Sequence, residues 1–422
     1  MKLRIGIVGD VTPGWKLLLD QEGVWYDAVA DLSDFDFSAL VISGAIAGKS
    51  LSYVETYLRQ GGAVLCSGES FAAVAKKTSR NKTLQYILPE KNSPWTGAGL
   101  LDLDLDCVIP PNANYFRTNR NSPAVFSGEF GGGYVIALPF DAGTAAVDNR
   151  VRTKSFYAQR DRLPFERVSL INRSSLRRLV SRSLELLHHR RGLPYLHKWY
   201  YPDEQSTLFL FRIDTDYAAK DSIEKLHSLC EWNSVPATWF IDVKSQENIL
   251  DVFRNMSNPE TALHCYEHQT SPDAGSNAKN IGKAMEVLAR AGIEAKGFAA
   301  PFGAWHSGIR DAIEQAGFEY SSEFSYDYDN LPSFPAMGSS VSTALQVLVH
   351  PISIGSLKRQ GFSTDEMIAY FNYVVAQKEA VHDPLFFYHH PNDGNEKAVT
   401  SLFDQVIERK IAPVRMLEYA RW

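Results

Sequence analysis

The sequence predicts an α/β protein in two parts: a doubly wound parallel sheet over residues 1–149 and a second run of alternating strands and helices over 205–422, joined by a basic helical segment at 150–204. Three observations predict it. The length of 422 residues is too great for one domain of roughly 150 residues. Short Val/Ile/Leu runs without polar alternation recur between helical patterns, as they do for strands covered on both faces. Charge is divided unevenly: residues 1–149 hold 12 Lys+Arg against 16 Asp+Glu, residues 150–198 hold 13 against 3, and residues 199–422 hold 18 against 30.

Composition sets the outer limits. Hydrophobic residues at 45% and charged residues at 22% describe a globular chain, which excludes disorder, collagen and coiled coil. Cys66, Cys107, Cys230 and Cys265 are widely spaced with no CxxC pair, against a disulfide framework or a thiolate zinc site. The N-terminal apolar run is too short for a signal peptide and no stretch approaches the 18 residues of a membrane span, so the expected location is the cytoplasm. With a net charge of −6, no nucleic-acid partner is expected.

In the first part, Leu3 to Val8 and Ala39 to Ser43 are apolar strands, and Ser52 to Gln60 is a helix opened by a Ser52/Glu55 capping box and closed by Gly61-Gly62. Ala63 to Cys66 is a strand, Phe71 to Lys77 a helix, and Tyr134 to Pro139 a last strand after Gly131-Gly-Gly133. Ser43-Gly-Ala-Ile-Ala-Gly48-Lys49-Ser50 lies where a phosphate-cradling loop would, but Ser43 stands where its first glycine belongs. Cys66, before Ser67-Gly68-Glu69, occupies the place of a nucleophile elbow without the preceding glycine or a following His-x-Glu. This part is expected to be non-catalytic. Between Asn172 and His189, Leu176, Leu179, Val180, Leu184 and Leu187 keep helical spacing with arginines on the other faces. The segment is expected to be an amphipathic connector. Its arginines, among them Arg177, Arg178 and Arg182, would pair with the flanking acidic domains or form a surface for an anionic lipid or phosphorylated substrate.

The second part carries the chemistry. Phe211-Arg-Ile-Asp214-Thr-Asp216 puts two carboxylates two apart at the end of an apolar strand, on one face. His264-Cys-Tyr-Glu-His268 spaces two imidazoles four apart, on one face of a helical turn and able to reach one metal. One carboxylate with two histidines leaves coordination positions open for water and substrate. Gly297-Phe-Ala-Ala-Pro301-Phe-Gly303-Ala-Trp305 follows, then Ser321-Ser-Glu323-Phe-Ser-Tyr-Asp327, and Leu385-Phe-Phe-Tyr-His389-His390-Pro391 delivers histidines at a strand end.

In this order, with Val235-Pro-Ala-Thr-Trp-Phe240 between the first two, these motifs resemble the NodB-homology polysaccharide deacetylases, carbohydrate esterase family four, over about residues 205–422. The first part resembles class I glutamine amidotransferases in its sheet alone. Trp199-Tyr-Tyr-Pro202 and the connecting helices resemble deacetylase-like proteins of surface-polysaccharide assembly. The resemblance implies a distorted (β/α) barrel with its site at the strand C-terminal ends. It implies Asp214 as catalytic base, Asp216, His264 and His268 as metal ligands, and His390 as catalytic acid, with His389 in reserve. Pro301 and Gly303 would shape the pocket; Tyr217 and Trp305 would either line a sugar cleft or pack in the core, and Trp239, inside a strand, reads first as core. The metal implied is zinc, with cobalt, nickel or manganese as alternatives. The substrate implied is an acetylated amino sugar, nucleotide-linked, lipid-linked or polymeric, with peripheral contact to an anionic membrane.

Two departures stand out. The arginine that the family pairs with its catalytic base, two residues before the motif proline, is Ala299 here, and the second motif's Ser/Thr is Cys265. Arg212, two before Asp214 on the same strand face, is expected to take the missing arginine's place. The alternative function is a catalytically impaired carbohydrate-binding protein that kept the fold. His350, Glu323 and Asp327 are candidates for the pocket wall, one of the acids to orient the histidine acid.

Overall fold

A computed structural model describes residues 3–257, 259–329, 331–337 and 340–422. It divides into two compact units, residues 1–150, 170–199 and 336–341 in the first and residues 151–169, 200–335 and 342–422 in the second.

The sheet of the first unit has nine strands, of which Tyr26–Ala28, Ile5–Val8, Ala39–Ile42, Ala63–Ser67 and Gly133–Leu138 run parallel in that order. Alternate residues enter different cores. Ile5, Ile7, Val41 and Leu65 pack on the side of the helices Pro13–Glu22 and Arg173–Arg190. Leu40, Ile42, Val64 and Cys66 pack on the side of Gly48–Arg59 and Gly68–Ala75. Both faces are covered, so the strands read as unbroken apolar runs. The sheet is not wholly parallel: Pro123–Phe130 joins Gly133–Leu138 antiparallel, and Tyr115–Thr118, Arg80–Leu88 and Leu101–Ile109 extend it the same way. Asp102-Leu-Asp104-Leu-Asp106 hid the last of these, because its carboxylates interrupt the apolar run.

Two local expectations change. The helix expected to open at Ser52 begins a turn earlier at Gly48, with Ala47 as N-cap and no side-chain cap, and the Ser52 hydroxyl donates back to Gly48 O at 3.3 Å. Cys66 is buried, its thiol donating to Ile136 O at 3.8 Å, and burial pushes its pKa up, which suits a structural thiol.

The basic segment is not one object. Its hairpin, Val151–Ser155 with Phe165–Ser169, belongs to the second unit, and its helix Arg173–Arg190 is a core element of the first, burying Leu176, Leu179, Val180, Leu184 and Leu187. Three arginines of the helix, Arg173, Arg177 and Arg178, are buried inside that unit. The Arg177 guanidinium meets Glu22 at 2.5 Å and Gln21 O at 2.7 Å, and Arg173 donates to Ala146 O at 3.0 Å and Asn149 Oδ1 at 2.8 Å. Arg178 is buried, and Arg182 pairs with Glu185 at 2.7 Å. Arg177 and Arg178 therefore do not form the exposed anion-binding face foreseen for them, while Arg182 stays exposed.

The second unit is a curled, all-parallel sheet of eight strands: β1 (Leu208–Asp214), β2 (Ala237–Asp242), β3 (Glu260–Cys265), β4 (Gly297–Phe298), β5 (Tyr320–Ser321), β6 (Leu345–Gln346), β7 (Leu385–His389) and β8 (Ala412–Val414). The order runs β6-β5-β4-β3-β2-β1-β7, with β8 pairing the first residues of β1 beside β2. The chain just past β6 comes round to β7, where His350 N–H donates to Phe386 O at 2.8 Å. That bond draws the sheet toward a barrel, with helices such as Lys220–Trp232, Ala274–Arg290 and Thr364–Ala380 packed outside. No helix among the described residues is long and apolar enough to cross a membrane.

Glu22 is fully buried and Arg177 nearly so, so removing one partner strands a buried charge. Glu22→Ala is expected to destabilise the first unit by about 3–5 kcal/mol, read as a fall in the melting temperature of its transition. A melting temperature within 1 °C or so of wild type would show that the pair contributes nothing.

Candidate active site

The site lies at the C-terminal mouth of the curled sheet, in a cavity of about 330 Å³. The residues foreseen as base, metal ligands and acid, Asp214, Asp216, His264, His268 and His390, all line it.

Arg212 and Asp214 point inward from β1 and meet there. The guanidinium holds the carboxylate through Nε to Oδ1 and Nη2 to Oδ2, both at 2.7 Å, while Nη1 donates to Ser322 O at 2.7 Å and Ser322 Oγ at 3.0 Å. Both side chains are under 5% exposed, and the guanidinium lies over the rings of Phe240 and Tyr388. Burial works against the charge on Arg212, but Asp214 outweighs it and raises the pKa. The structure thus supplies a guanidinium to Asp214 from β1, with Ala299 buried in the wall.

The histidines arrive by a bulge and a bend, not by the helical turn expected. The β2/β3 register passes from Ile241↔Leu263 to Asp242↔Cys265, leaving His264 as the extra residue of a β-bulge, a device that re-aims a side chain. The chain then bends through 266–268, where Asn280 Oδ1 accepts the N–H groups of Tyr266 at 2.9 Å and Glu267 at 2.8 Å. Asn280 was not foreseen, because nothing local marks it as the partner of a bend thirteen residues away.

Asp216 Oδ1 lies 3.1 Å from His264 Nε2, and Asp216 Oδ2 lies 3.1 Å from His268 Nε2. One ligand atom from each of the three residues falls within 4.8 Å of the others. His264 Nδ1 sits 2.7 Å from Ala299 O, which fixes the ring with Nε2 toward the cluster. Asp216 Oδ1 and His268 Nε2 are buried without a well-formed hydrogen bond, as atoms awaiting a cation would be. Burial opposes charge on His264, yet Asp216 pushes its pKa up to about 9. Against its own burial, Asp216 is held well below the ordinary carboxylate range, by His264 first and then by His268 and His390. This donor set fits a divalent ion with open positions.

His390, rather than His389, faces the cavity. Its Nε2 lies 3.6 Å from Asp216 Oδ2 and its Nδ1 3.0 Å from Asp393 Oδ2. Burial disfavours the imidazolium, but the Asp393 bond and the charges of Asp214 and Asp216 raise its pKa overall. Asp393 is therefore the acid that orients His390, not Glu323 or Asp327. The signal was present, since His390-Pro391-Asn392-Asp393 spaces the pair across a proline-initiated turn. Arg359 Nη1 holds Asp393 Oδ1 at 3.0 Å, and Gly355 makes room for it, because a Cβ there would lie 1.6 Å from Asp393 Oδ2.

Other expectations are corrected. His389 points to the opposite side of β7, buried and stacked on Phe211, where burial lowers its pKa to about 4. Trp239 is core, as its place inside a strand suggested, against His227 and Phe253. Trp305 packs edge-on against Tyr326 and Pro301 is buried, and neither lines the cavity. His350 packs outside the cavity with Asp329 at 3.0 Å and Tyr370 at 2.8 Å. Asp327 is buried away from the cavity, and Glu323 accepts Ala300 N–H at 3.0 Å, steadying the backbone that holds His264. Gly303 lines the cavity at φ +57°, where a Cβ would press 2.4 Å from the Phe324 ring. Tyr217 stays at the rim, 66% exposed and tilted on His268, and Phe302, which was not foreseen, flanks the same ring edge-on.

No protein-family model matches the chain, and no curated protein matches it. Solved structures do. About half of the chain matches structures described as polysaccharide deacetylases, at 52% and 53% coverage. One, described as a probable polysaccharide deacetylase from Pseudomonas aeruginosa PAO1, has 16% identity and a TM-score of 0.44, covering 53% of this chain and 92% of its own. The Puue allantoinase has 15% identity and a TM-score of 0.43 over 53% and 91%. A CE4 family pseudoenzyme from Bacillus anthracis has 11% identity and a TM-score of 0.38 over 64% and 90%. These relatives differ in activity, and at such scores nothing functional passes from them to this chain, so function must come from the site.

The cluster predicts that the protein binds one divalent ion per chain. His264→Ala and His268→Ala are each expected to lose it in metal analysis after dialysis, while Asp393→Asn keeps it; stoichiometric metal in both histidine variants would refute the ligand set.

Proposed function

We propose that the second unit is a metal-dependent hydrolase that removes the N-acetyl group from an amino sugar. The observation that carries this reading is the division of labour in one cavity: Asp214 locked by Arg212 and His390 oriented by Asp393, lining the same space as the Asp216/His264/His268 cluster. A base and an acid with opposite environments around a metal-ligand set suit amide hydrolysis.

Asp216, His264 and His268 would hold the ion, zinc by the nature of the ligands, with cobalt, nickel or manganese as alternatives. A bound ion of this kind supplies Lewis acidity toward the acetamide carbonyl and a lowered pKa for water. Asp214 accepts the proton of the attacking water through a carboxylate that its bidentate guanidinium keeps in place. His390 donates a proton from Nε2 to the departing nitrogen, with its Nδ1–H directed at Asp393, so the amine leaves neutral. Gly303 and the Ala300 backbone border the space left for the acetyl group.

The setting we infer is surface-polysaccharide assembly in the cytoplasm, O-antigen or exopolysaccharide, on a polymer or a nucleotide- or lipid-linked precursor. It rests on the sequence resemblance alone. Contact with an anionic membrane through the basic segment would fall to exposed residues such as Arg182, since Arg177 is engaged with Glu22. The impaired-enzyme alternative drew on Ala299, and the guanidinium that Arg212 brings to Asp214 removes that ground.

Zinc-loaded protein is expected to release acetate and a free amine from N-acetylated hexosamine oligosaccharides. Asp214→Asn should lower kcat by about 10²-fold or more with metal retained, and Gly355→Ala, by displacing Asp393, should lower it at least about tenfold. Absence of acetate from every N-acetylated hexosamine tried, with metal bound, would reject the assignment.

A further inference from the structure

Four carboxylates line the cavity, and three have side-chain partners: Asp214 has Arg212, Asp216 has His264 and His268, and Asp393 has His390 and Arg359. The fourth is Glu166. Among the described residues, the hydrogen bond its carboxylate accepts is from the adjacent Arg167 N–H, at 2.7 Å, and no side chain donates to it. Half-buried, with lone pairs to spare, it is an acceptor facing a small polar cavity.

Its position is fixed from outside the barrel strands. Glu166 lies on the hairpin Val151–Ser155/Phe165–Ser169, which is tied down throughout its length. Phe156 and Val168 are part of the second unit's core. Lys154 Nζ donates to Tyr328 OH at 3.1 Å, Arg160 Nη1 to Gly361 O at 3.1 Å, and Ser169 N–H to Phe324 O at 3.3 Å. Phe324 lines the same cavity, so the hairpin is bonded to the wall it completes. Tyr388 and Phe324 add apolar ring faces beside Glu166, and Arg359 and Asn392 add donors. Apolar faces with a few convergent polar groups are what a sugar ring, with its CH faces and hydroxyl edges, requires. A volume of about 330 Å³ is at the lower end for small-molecule sites and enough for one ring.

We propose that Glu166 is a specificity-determining residue, its carboxylate accepting hydrogen bonds from the hydroxyls of one uncharged N-acetylated sugar ring and disfavouring rings that carry a phosphate or carboxylate on that side. The identity of the ring as an acetamido sugar rests on the deacetylase reading. The selectivity follows from charge: burial raises the pKa of Glu166, the Arg167 N–H and Arg359 in the same lining favour its ionised form, and an anionic substituent beside that carboxylate would bring two negative groups together, whereas a hydroxyl donates.

The test is ligand-observed NMR titration of the zinc-loaded full chain with N-acetylglucosamine and N-acetylglucosamine 6-phosphate, for wild type, Glu166→Gln and Glu166→Ala, alongside acetate release. Wild type is expected to favour the neutral sugar at least about tenfold. Glu166→Ala should weaken neutral-sugar binding and raise KM by a similar factor, with kcat, metal content and melting temperature little changed. Glu166→Gln, which keeps an acceptor but no charge, should narrow the preference to within about threefold. Affinities for both sugars unchanged in Glu166→Ala, no binding of either sugar by wild type, or equal binding of the two would overturn the proposal. Glu166-dependent binding without acetate release would leave it standing and reject the deacetylase reading instead; acetate release from other acetamides, without that dependence, would do the reverse.

Discussion

The buried pair of Arg212 and Asp214 is the interaction on which the rest of the site depends. Two charges under 5% exposed are tolerated only when each satisfies the other with good geometry, and here four of the guanidinium's contacts are accounted for by Asp214 and Ser322. Because both side chains leave β1 on one face, the pair fixes where Asp214 stands relative to Asp216 two residues later. The same guanidinium reaches the turn after β5 through Ser322, and so binds Asp214 to the loop that carries Glu323. Glu323 in turn holds Ala300 N–H, beside the Ala299 carbonyl that sets the His264 ring. One buried cation thus ties Asp214, the loop after β5 and His264 into a single network.

The architecture accounts for the rest of the geometry. Parallel strands bring their C-terminal ends to one mouth, and the side chains there come from residues far apart in the chain. A bulge in β3 aims His264, a bend held by Asn280 brings His268 beside it, and a proline-led turn after β7 sets His390 against Asp393. The hairpin at 151–169 supplies Glu166 from sequence that precedes the barrel altogether. The first unit has an independent basis for stability: two cores on opposite faces of its sheet and a buried Arg177–Glu22 pair.

How far this was legible varies by residue. Asp214, Asp216, His264, His268 and His390 stood out because polar residues at the ends of apolar strands, at ligand spacing, are conspicuous in one dimension. Arg212 could be assigned from the strand period alone. His389 and His390 could be told apart the same way, and retaining both obscured the choice. Glu166, Asn280 and Gly355 were not legible, because each acts across a tertiary approach that no local pattern records. Trp305 shows the opposite error, while Trp239 is the core residue that its place inside a strand suggested, since aromatic residues near a motif are more often filling a core than facing a ligand. The charge-rich middle segment was legible in part: pairing with the acidic flanks was one of its two readings, and Arg177 does meet Glu22, but composition alone could not say which arginines are buried. In the first unit the parallel strands were readable from their apolar runs, while the antiparallel extension, with alternating Asp, was not.

The most direct measurement of the central claim is the activity of Arg212→Ala, with its metal content determined on the same sample. If the guanidinium holds the catalytic carboxylate, acetate release should fall at least about tenfold while the ion stays stoichiometric, and added guanidinium ion should restore part of it by occupying the vacated site. Wild-type kcat in a fully metal-loaded Arg212→Ala protein would contradict the account.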